Sequence, residues 1–281
     1  MKTVITIAKM RAACREAKHG GKRLGFVPTM GALHEGHLSL VRAAREQCDV
    51  VAASVFVNPK QFGPNEDFAK YPRDLERDSK LLAAEGVALL FAPSAEEMYP
   101  AGAETVVYVE GLSEKLCGRS RPGHFRGVTT VVAKLFNIVE PNAAFFGQKD
   151  AAQLAIIRRM VRDLNLSVEI IGCSIVREPD GLAMSSRNAY LSPTERKQAL
   201  ALSRALQEIA GKFAAGERSA SPLIAAGKTV LAQEPAIRLD YLEIVDPETL
   251  EPVEDARGAL VAVAAFVGAT RLIDNTVLAT K

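Results

Sequence analysis

The 281-residue sequence predicts an α/β fold: a Rossmann-like parallel sheet with helices on both faces, followed by a smaller C-terminal α+β domain. Three observations carry this reading. Short apolar runs at 24–27, 50–57, 87–91, 143–146 and 168–176 alternate with segments of helical periodicity at 38–48, 74–85, 127–139 and 151–164, and such alternation builds a parallel sheet with helices packed on it. Polar clusters follow the first, second, fourth and fifth runs, at the strand ends where sheets of this kind bind ligands. After Asn188 the pattern changes to Ala/Leu-rich helices and then three strand-like runs.

The first run leads into Met30-Gly31-Ala32-Leu33-His34-Glu35-Gly36-His37. Leu38, Leu40, Val41 and Ala44 then fall near helical spacing, so His34 and His37 stand at a helix N-terminus, three residues apart and able to face one anion. Backbone N–H groups and the helix dipole already favour phosphate there. Gly31 and Gly36 remove side chains where a nucleotide must approach the backbone. Only four histidines occur in the chain, so two within four residues are unlike scattered structural ones. A zinc reading of the pair lacks a third ligand at characteristic spacing.

The second run leads into Asn58-Pro59-Lys60-Gln61, whose amide side chains can both donate and accept, as recognition of a hydroxy acid requires. Tyr71-Pro72-Arg73-Asp74 and Asp78 follow; an acid here either holds a magnesium ion on bound phosphates or is an ordinary helix-surface aspartate. Residues 119–127 pack three arginines and His124 ahead of a helix, as an anion-handling loop or lid, or as a solvated basic loop. Gly147-Gln148-Lys149-Asp150 follows the fourth run: Lys149 can meet a phosphate as a point charge, Asp150 can cap the helix from 151, and Gln153 faces the same cleft one turn later. Beyond the fifth run, the Asp180-Gly181 turn precedes Met184-Ser185-Ser186-Arg187, two hydroxyls and a guanidinium suited to a mobile loop closing over a triphosphate.

Ser192-Pro193-Thr194-Glu195 has the pattern of a helix start, with a helix to about 210, a second at 223–232 and strands at 239–245, 260–266 and 276–279. A short hinge near Asn188 divides the expected domains, 1–187 and 188–281. Hydrophobic content of 48% supports a substantial core, and a formal charge of +2 argues against a nucleic-acid footprint. The longest apolar run, 259–269, is about half a membrane span and reads as a buried strand, so no membrane partner is expected. The apolar stretch 4–8 is too short for a signal-peptide core. Cys14, Cys48, Cys117 and Cys173 show no paired spacing and read as reduced structural thiols of a cytoplasmic protein.

The segments PTMGALHEGHLSL, FVNPKQF, RPGHFRGV, FFGQKD and MSSRN, in this order and spread along the chain, resemble the pantoate–β-alanine ligase (pantothenate synthetase) family of the nucleotidyltransferase superfamily. HxGH alone marks the superfamily, shared with class I aminoacyl-tRNA synthetases and small cytidylyl- and adenylyltransferases; MSSR stands where those carry a KMSKS-type loop. The resemblance implies ATP-dependent condensation of (R)-pantoate with β-alanine through an enzyme-bound pantoyl-adenylate, magnesium, a homodimer and a C-terminal lid. It implies ATP contacts from Met30, Gly31, Ala32, Leu33, His34, Glu35, Gly36 and His37, from Gly147, Gln148, Lys149 and Asp150, and from Val176, Met184, Ser185, Ser186 and Arg187. His37 is the implied catalytic histidine, with phosphate-charge neutralisation suited to His34 and Lys149. Gln61 and Gln153 are implied pantoate contacts, Gln61 also facing β-alanine, and Asp78 matches the magnesium ligand. The competing readings are a nucleotidyltransferase that leaves the nucleotide on its product and an ATP-binding regulatory module without turnover.

Overall fold

The computed structural model describes residues 1–64 and 66–279. Its elements in chain order are β1 (Lys2–Val4), α1 (Ile7–Ala17), β2 (Leu24–Thr29), α2 (Glu35–Gln47), β3 (Val50–Val55), α3 (Leu75–Ala84), β4 (Leu89–Phe91), α4 (Ala95–Met98), α5 (Cys117–Ser120), α6 (His124–Val139), β5 (Ala143–Gly147), α7 (Ala151–Asp163), β6 (Glu169–Cys173), α8 (Pro193–Ala214), α9 (Ala220–Leu231), β7 (Ile237–Val245), β8 (Leu260–Val267) and β9 (Thr270–Val277).

In the first compact unit, six parallel strands run in the order β1-β4-β3-β2-β5-β6. Apart from the edge strand β1, which lies beside β4, the chain winds outward from β2 in one direction and from β5 in the other, so the switch in strand order falls between β2 and β5. A crevice opens at the carboxyl ends of such a pair. The sheet is covered by α2 and α3, which pack together, and by α1, which pairs with α6. Periodicity in α2 turns Leu38, Leu40, Val41 and Ala44 inward, where Leu40, Val41 and Ala44 join Val27, Val51, Leu82, Leu90 and Phe145 in one core. Each fully buried Leu, Val or Phe side chain contributes about 1.5–3 kcal/mol. Gly127 lets α6 approach a neighbouring turn backbone to backbone, since a Cβ there would lie 2.2 Å from the Lys60 carbonyl oxygen.

In the second unit, α8 and α9 lie with the antiparallel sheet β7-β8-β9 over a core that includes Leu202, Leu206, Ile209, Leu223, Ile244, Val261, Val263 and Leu272. The predicted helix start is a capping box: Ser192 Oγ accepts from Glu195 N and the Glu195 carboxylate accepts from Ser192 N.

Expectation and structure differ at identifiable places. By contacts the compact units do not follow a single cut in the chain: Glu114–Ser120 and Gln148–Ala155 group with the residues from Ser174 onward. The physical cause is β9, where Asn275 and Asp274 bind the backbone after β5 and the Arg177 side chain. That strand covers Thr270–Val277 rather than 276–279, its polar residues being buried as partners rather than exposed. The three-residue β1 lacks the run length that marks an element, and α1, whose buried Met10, Ala13 and Cys14 do fall at helical spacing, is not among the helices expected from the sequence. Among the described residues, no helix is long and apolar enough to cross a membrane.

Candidate active site

β2 leaves the sheet at Thr29, whose hydroxyl donates to Ser54 O at 2.7 Å and accepts from Gly31 N at 3.1 Å. Two residues with positive φ follow, Gly31 at 85° and Ala32 at 52°. For alanine this left-handed conformation is strained, and it persists only where the surroundings enforce it. Leu33 then inserts into the core at 1% exposure, and His34 becomes the N-cap of α2.

The two histidines cap the helix reciprocally. His34 Nδ1 accepts from Gly36 N at 3.1 Å, and His37 Nδ1 accepts from His34 N at 3.4 Å. A nitrogen that accepts from an amide carries no proton, so the neutral ring bears its hydrogen on Nε2. The rings lie 4.2 Å apart between centroids. The rings thus satisfy the amides of His34 and Gly36 through Nδ1. The Glu35 carboxylate pairs with Arg42, which holds it below the usual carboxylate range.

Beyond β3, Asn58 and Gln61 are both buried. Asn58 Nδ2 donates to Gln61 Oε1 at 3.0 Å and to Gly127 O at 3.1 Å, its Oδ1 accepts from Tyr99 Oη at 2.9 Å, and Gln61 Nε2 approaches Met30 Sδ at 3.0 Å. Burial pushes the Tyr99 hydroxyl above the ordinary phenol range, so it remains a donor. His124 Nδ1 lies 2.8 Å from Gln61 O; a carbonyl only accepts, so Nδ1 carries the proton and Nε2 accepts from Arg121 Nη1 at 2.9 Å. Arg121 in turn forms a forked pair with Glu66, with both contacts at 2.6 Å. Burial raises the Glu66 pKa, but the Arg121 hydrogen bonds and charge outweigh it and hold the carboxyl low. The loop expected to handle anions or act as a lid therefore braces the Gln61 backbone, and its Arg119 is paired with Glu243.

In the second unit, Gln148, Lys149 and Asp150 form a 3₁₀ turn that runs directly into α7. Asp150 is exposed and ends that turn, immediately before the first residue of α7. Asn275 Nδ2 donates to Gln148 O and Lys149 O, each at 2.9 Å, which fixes the turn from β9. Met184 N donates to Val176 O at 3.0 Å, tying those two expected ATP contacts together. The neighbouring Arg177 forms a forked pair with buried Asp274 at 2.7 and 3.0 Å. Ser185 Oγ accepts from Arg187 N at 3.2 Å, starting a 3₁₀ turn of its own. Gln153 is half-buried on the first turn of α7. Sequence reasoning missed Tyr99, Glu66, Asp274 and Asn275; the one available signal was a polar pair, Asp274-Asn275, inside an otherwise strand-forming run.

Asp78 does not fit the magnesium role. It is 1% exposed, its Oδ2 accepts from Ala32 N and its Oδ1 from Leu33 N, both at 2.9 Å. A hard cation needs carboxylate oxygens open to it and to water. Among the described residues there is no group of three or more His, Cys, Asp or Glu side chains placed to hold a metal.

These features define a doubly wound α/β protein with a histidine-lined helix entrance at the switch point of its sheet. The sequence profile described as Pantoate-beta-alanine ligase matches residues 2–277, and the chain belongs to that family. A pantothenate synthetase of Acidobacterium capsulatum is 62% identical over 290 residues, covering 99% of this chain and 97% of that protein. One from Thermotoga neapolitana is 60% identical, covering 99% and 100%. Among solved structures, pantothenate synthetase from Thermus thermophilus superposes with a TM-score of 0.95 at 53% identity over 100% of both chains. Pantoate–β-alanine ligase from Francisella tularensis, in complex with β-γ ATP and β-alanine, gives 0.80 at 33% identity over 99% and 98%.

Proposed function

We propose that this chain condenses (R)-pantoate with β-alanine at the expense of ATP, giving pantothenate, AMP and diphosphate through a pantoyl-adenylate. Family membership supports the reaction. The structural observation that carries the chemistry is the reciprocal capping of His34 and His37, which makes each ring an Nε2–H donor beyond the switch strand β2.

In the first step a pantoate carboxylate oxygen attacks the α-phosphorus and diphosphate leaves, so the protein's task is to align reactants and offset growing phosphate charge. His37 and His34 supply neutral donors, and Lys149 supplies a positive charge. The remaining ATP contacts are Met30 to Gly36, Gly147, Gln148, Asp150, Val176 and Met184 to Arg187. Gln61 and Gln153 hold pantoate, and Gln61 also faces β-alanine. In the second step the neutral amine of β-alanine attacks the acyl carbon and AMP leaves. Residues 188–281 act as a closing domain that keeps water from the adenylate. Magnesium belongs to this reading as the counter-ion carried on ATP's own phosphates, consistent with its usual binding through phosphates and water. The protein is a cytoplasmic homodimer in this reading.

No covalent relay is invoked: burial pushes the Cys14 thiol up to about 11 and also raises Cys173, the opposite of an activated nucleophile. The test is isotope exchange. With ATP and pantoate but no β-alanine, the enzyme should move label from diphosphate into ATP, and carboxylate-labelled pantoate should pass one oxygen to AMP on full turnover. Exchange that requires β-alanine, or ADP and phosphate as products, would replace the adenylate with an acyl phosphate.

A further inference from the structure

Asp78 is among the most deeply buried acids of the chain, yet its own helix does not need it. Helix α3 is already capped by Asp74, whose Oδ1 accepts from Arg77 N at 2.9 Å. The Asp78 carboxylate instead reaches back 46 and 45 residues to the amides of Ala32 and Leu33, one oxygen to each. Arg77 Nη1 adds a bond to Leu33 O at 3.1 Å and lies 3.5 Å from Asp78 Oδ1. The turn held in this way contains the two positive-φ residues, and it ends at His34. An alanine at φ 52° does not hold itself; the two hydrogen bonds that the Ala32 and Leu33 amides donate to a fixed carboxylate hold it. Space around the turn is equally constrained, since a Cβ on Gly31 would meet Asp78 Oδ2 at 2.9 Å and Val55 Cγ1 at 3.0 Å.

We propose that Asp78 is a positioning residue: its carboxylate locks the Gly31–Leu33 turn in the conformation that presents His34 and His37 to the nucleotide. The inference rests on the adenylation reading above. A carboxylate is needed because two adjacent amides require two acceptors; an amide side chain offers one acceptor and turns its NH₂ against the other N–H.

The test compares wild type, Asp78→Asn and Gly31→Ala in diphosphate–ATP exchange, each titrated with Mg²⁺, with folding followed by circular dichroism. Wild-type exchange is the control on the adenylation reading itself. For Asp78→Asn the expected result is a kcat lower by roughly 10²-fold, the scale of a misplacement of about 1 Å, with the KM for pantoate and the half-saturating Mg²⁺ within about twofold of wild type. Gly31→Ala, which keeps the carboxylate and distorts the same turn, should show the same pattern and decides the matter if Asp78→Asn does not fold. An Mg²⁺ requirement that rises in Asp78→Asn, with the rate restored by excess metal, would make Asp78 a metal ligand. Undiminished kcat in either folded variant would also overturn the proposal.

Discussion

His34 and His37 owe their orientation to the amides they cap, each ring being held at Nδ1, and in the proposed reaction each acts through Nε2. A donor that acts on departing diphosphate contributes mainly in the transition state. His37→Ala should therefore lower kcat by about 10²–10³-fold while the KM for ATP changes little; steady-state kinetics with ATP varied checks this, and near-normal kcat would remove His37 from the chemistry. Gln61 has its Oε1 taken by Asn58 and its backbone by His124, which leaves its amide fixed in one orientation. Gln61→Ala should raise the KM for pantoate with ATP binding unchanged, measured by separate calorimetric titrations. A fall in ATP affinity alone would place Gln61 elsewhere.

At the scale of elements, strand β9 supports the lysine turn with one side chain, Asn275, bonded to two successive carbonyls. Asn275→Ala removes two hydrogen bonds of about 0.5–1.5 kcal/mol each; it should reduce exchange activity together with thermal stability. Ser192→Ala, by contrast, breaks the α8 capping box at a cost of about 1 kcal/mol and should leave kcat intact. If the two variants lose stability equally and activity equally, the support from β9 is not specific. The same contrast explains what was legible in the sequence. HEGH, GQKD and MSSR lie at element ends, where their combination, not any one alone, singles them out as a candidate site, and α2, α7 and α8 follow their periodicity. Asp78 and Asn275 are polar residues on ordinary elements, and only the fold shows that they reach across 46 and 126 residues to a backbone turn. In the basic loop at 119–127, likewise, local charge does not reveal Glu66 or Glu243, the partners of Arg121 and Arg119.

For the molecule as a whole, the alkaline limit of stability has a structural source. Burial raises the pKa of Tyr99 and of Tyr241, the latter also through Cys117, whose Sγ lies 3.1 Å from the phenol oxygen. The folded state holds these protons more tightly than the unfolded chain, so their contribution is complete below about pH 10, the ordinary tyrosine value, and declines as pH rises above it. Urea unfolding between about pH 9 and 11.5 should show this loss, together with that of the Cys14 and Cys173 thiols, and Tyr99→Phe should flatten part of it; an unchanged slope would assign the effect to Tyr241 and the thiols. The bonds from Asn275 carry one more consequence, in time rather than in space. Asn275 lies 126 residues after Lys149, so at about 5–20 residues per second the ribosome needs roughly 6–25 s to travel from one to the other. A nascent chain thus acquires its parallel sheet and both histidines well before Asn275, and until that residue emerges the carbonyls of Gln148 and Lys149 lack the side chain that binds them in the folded protein.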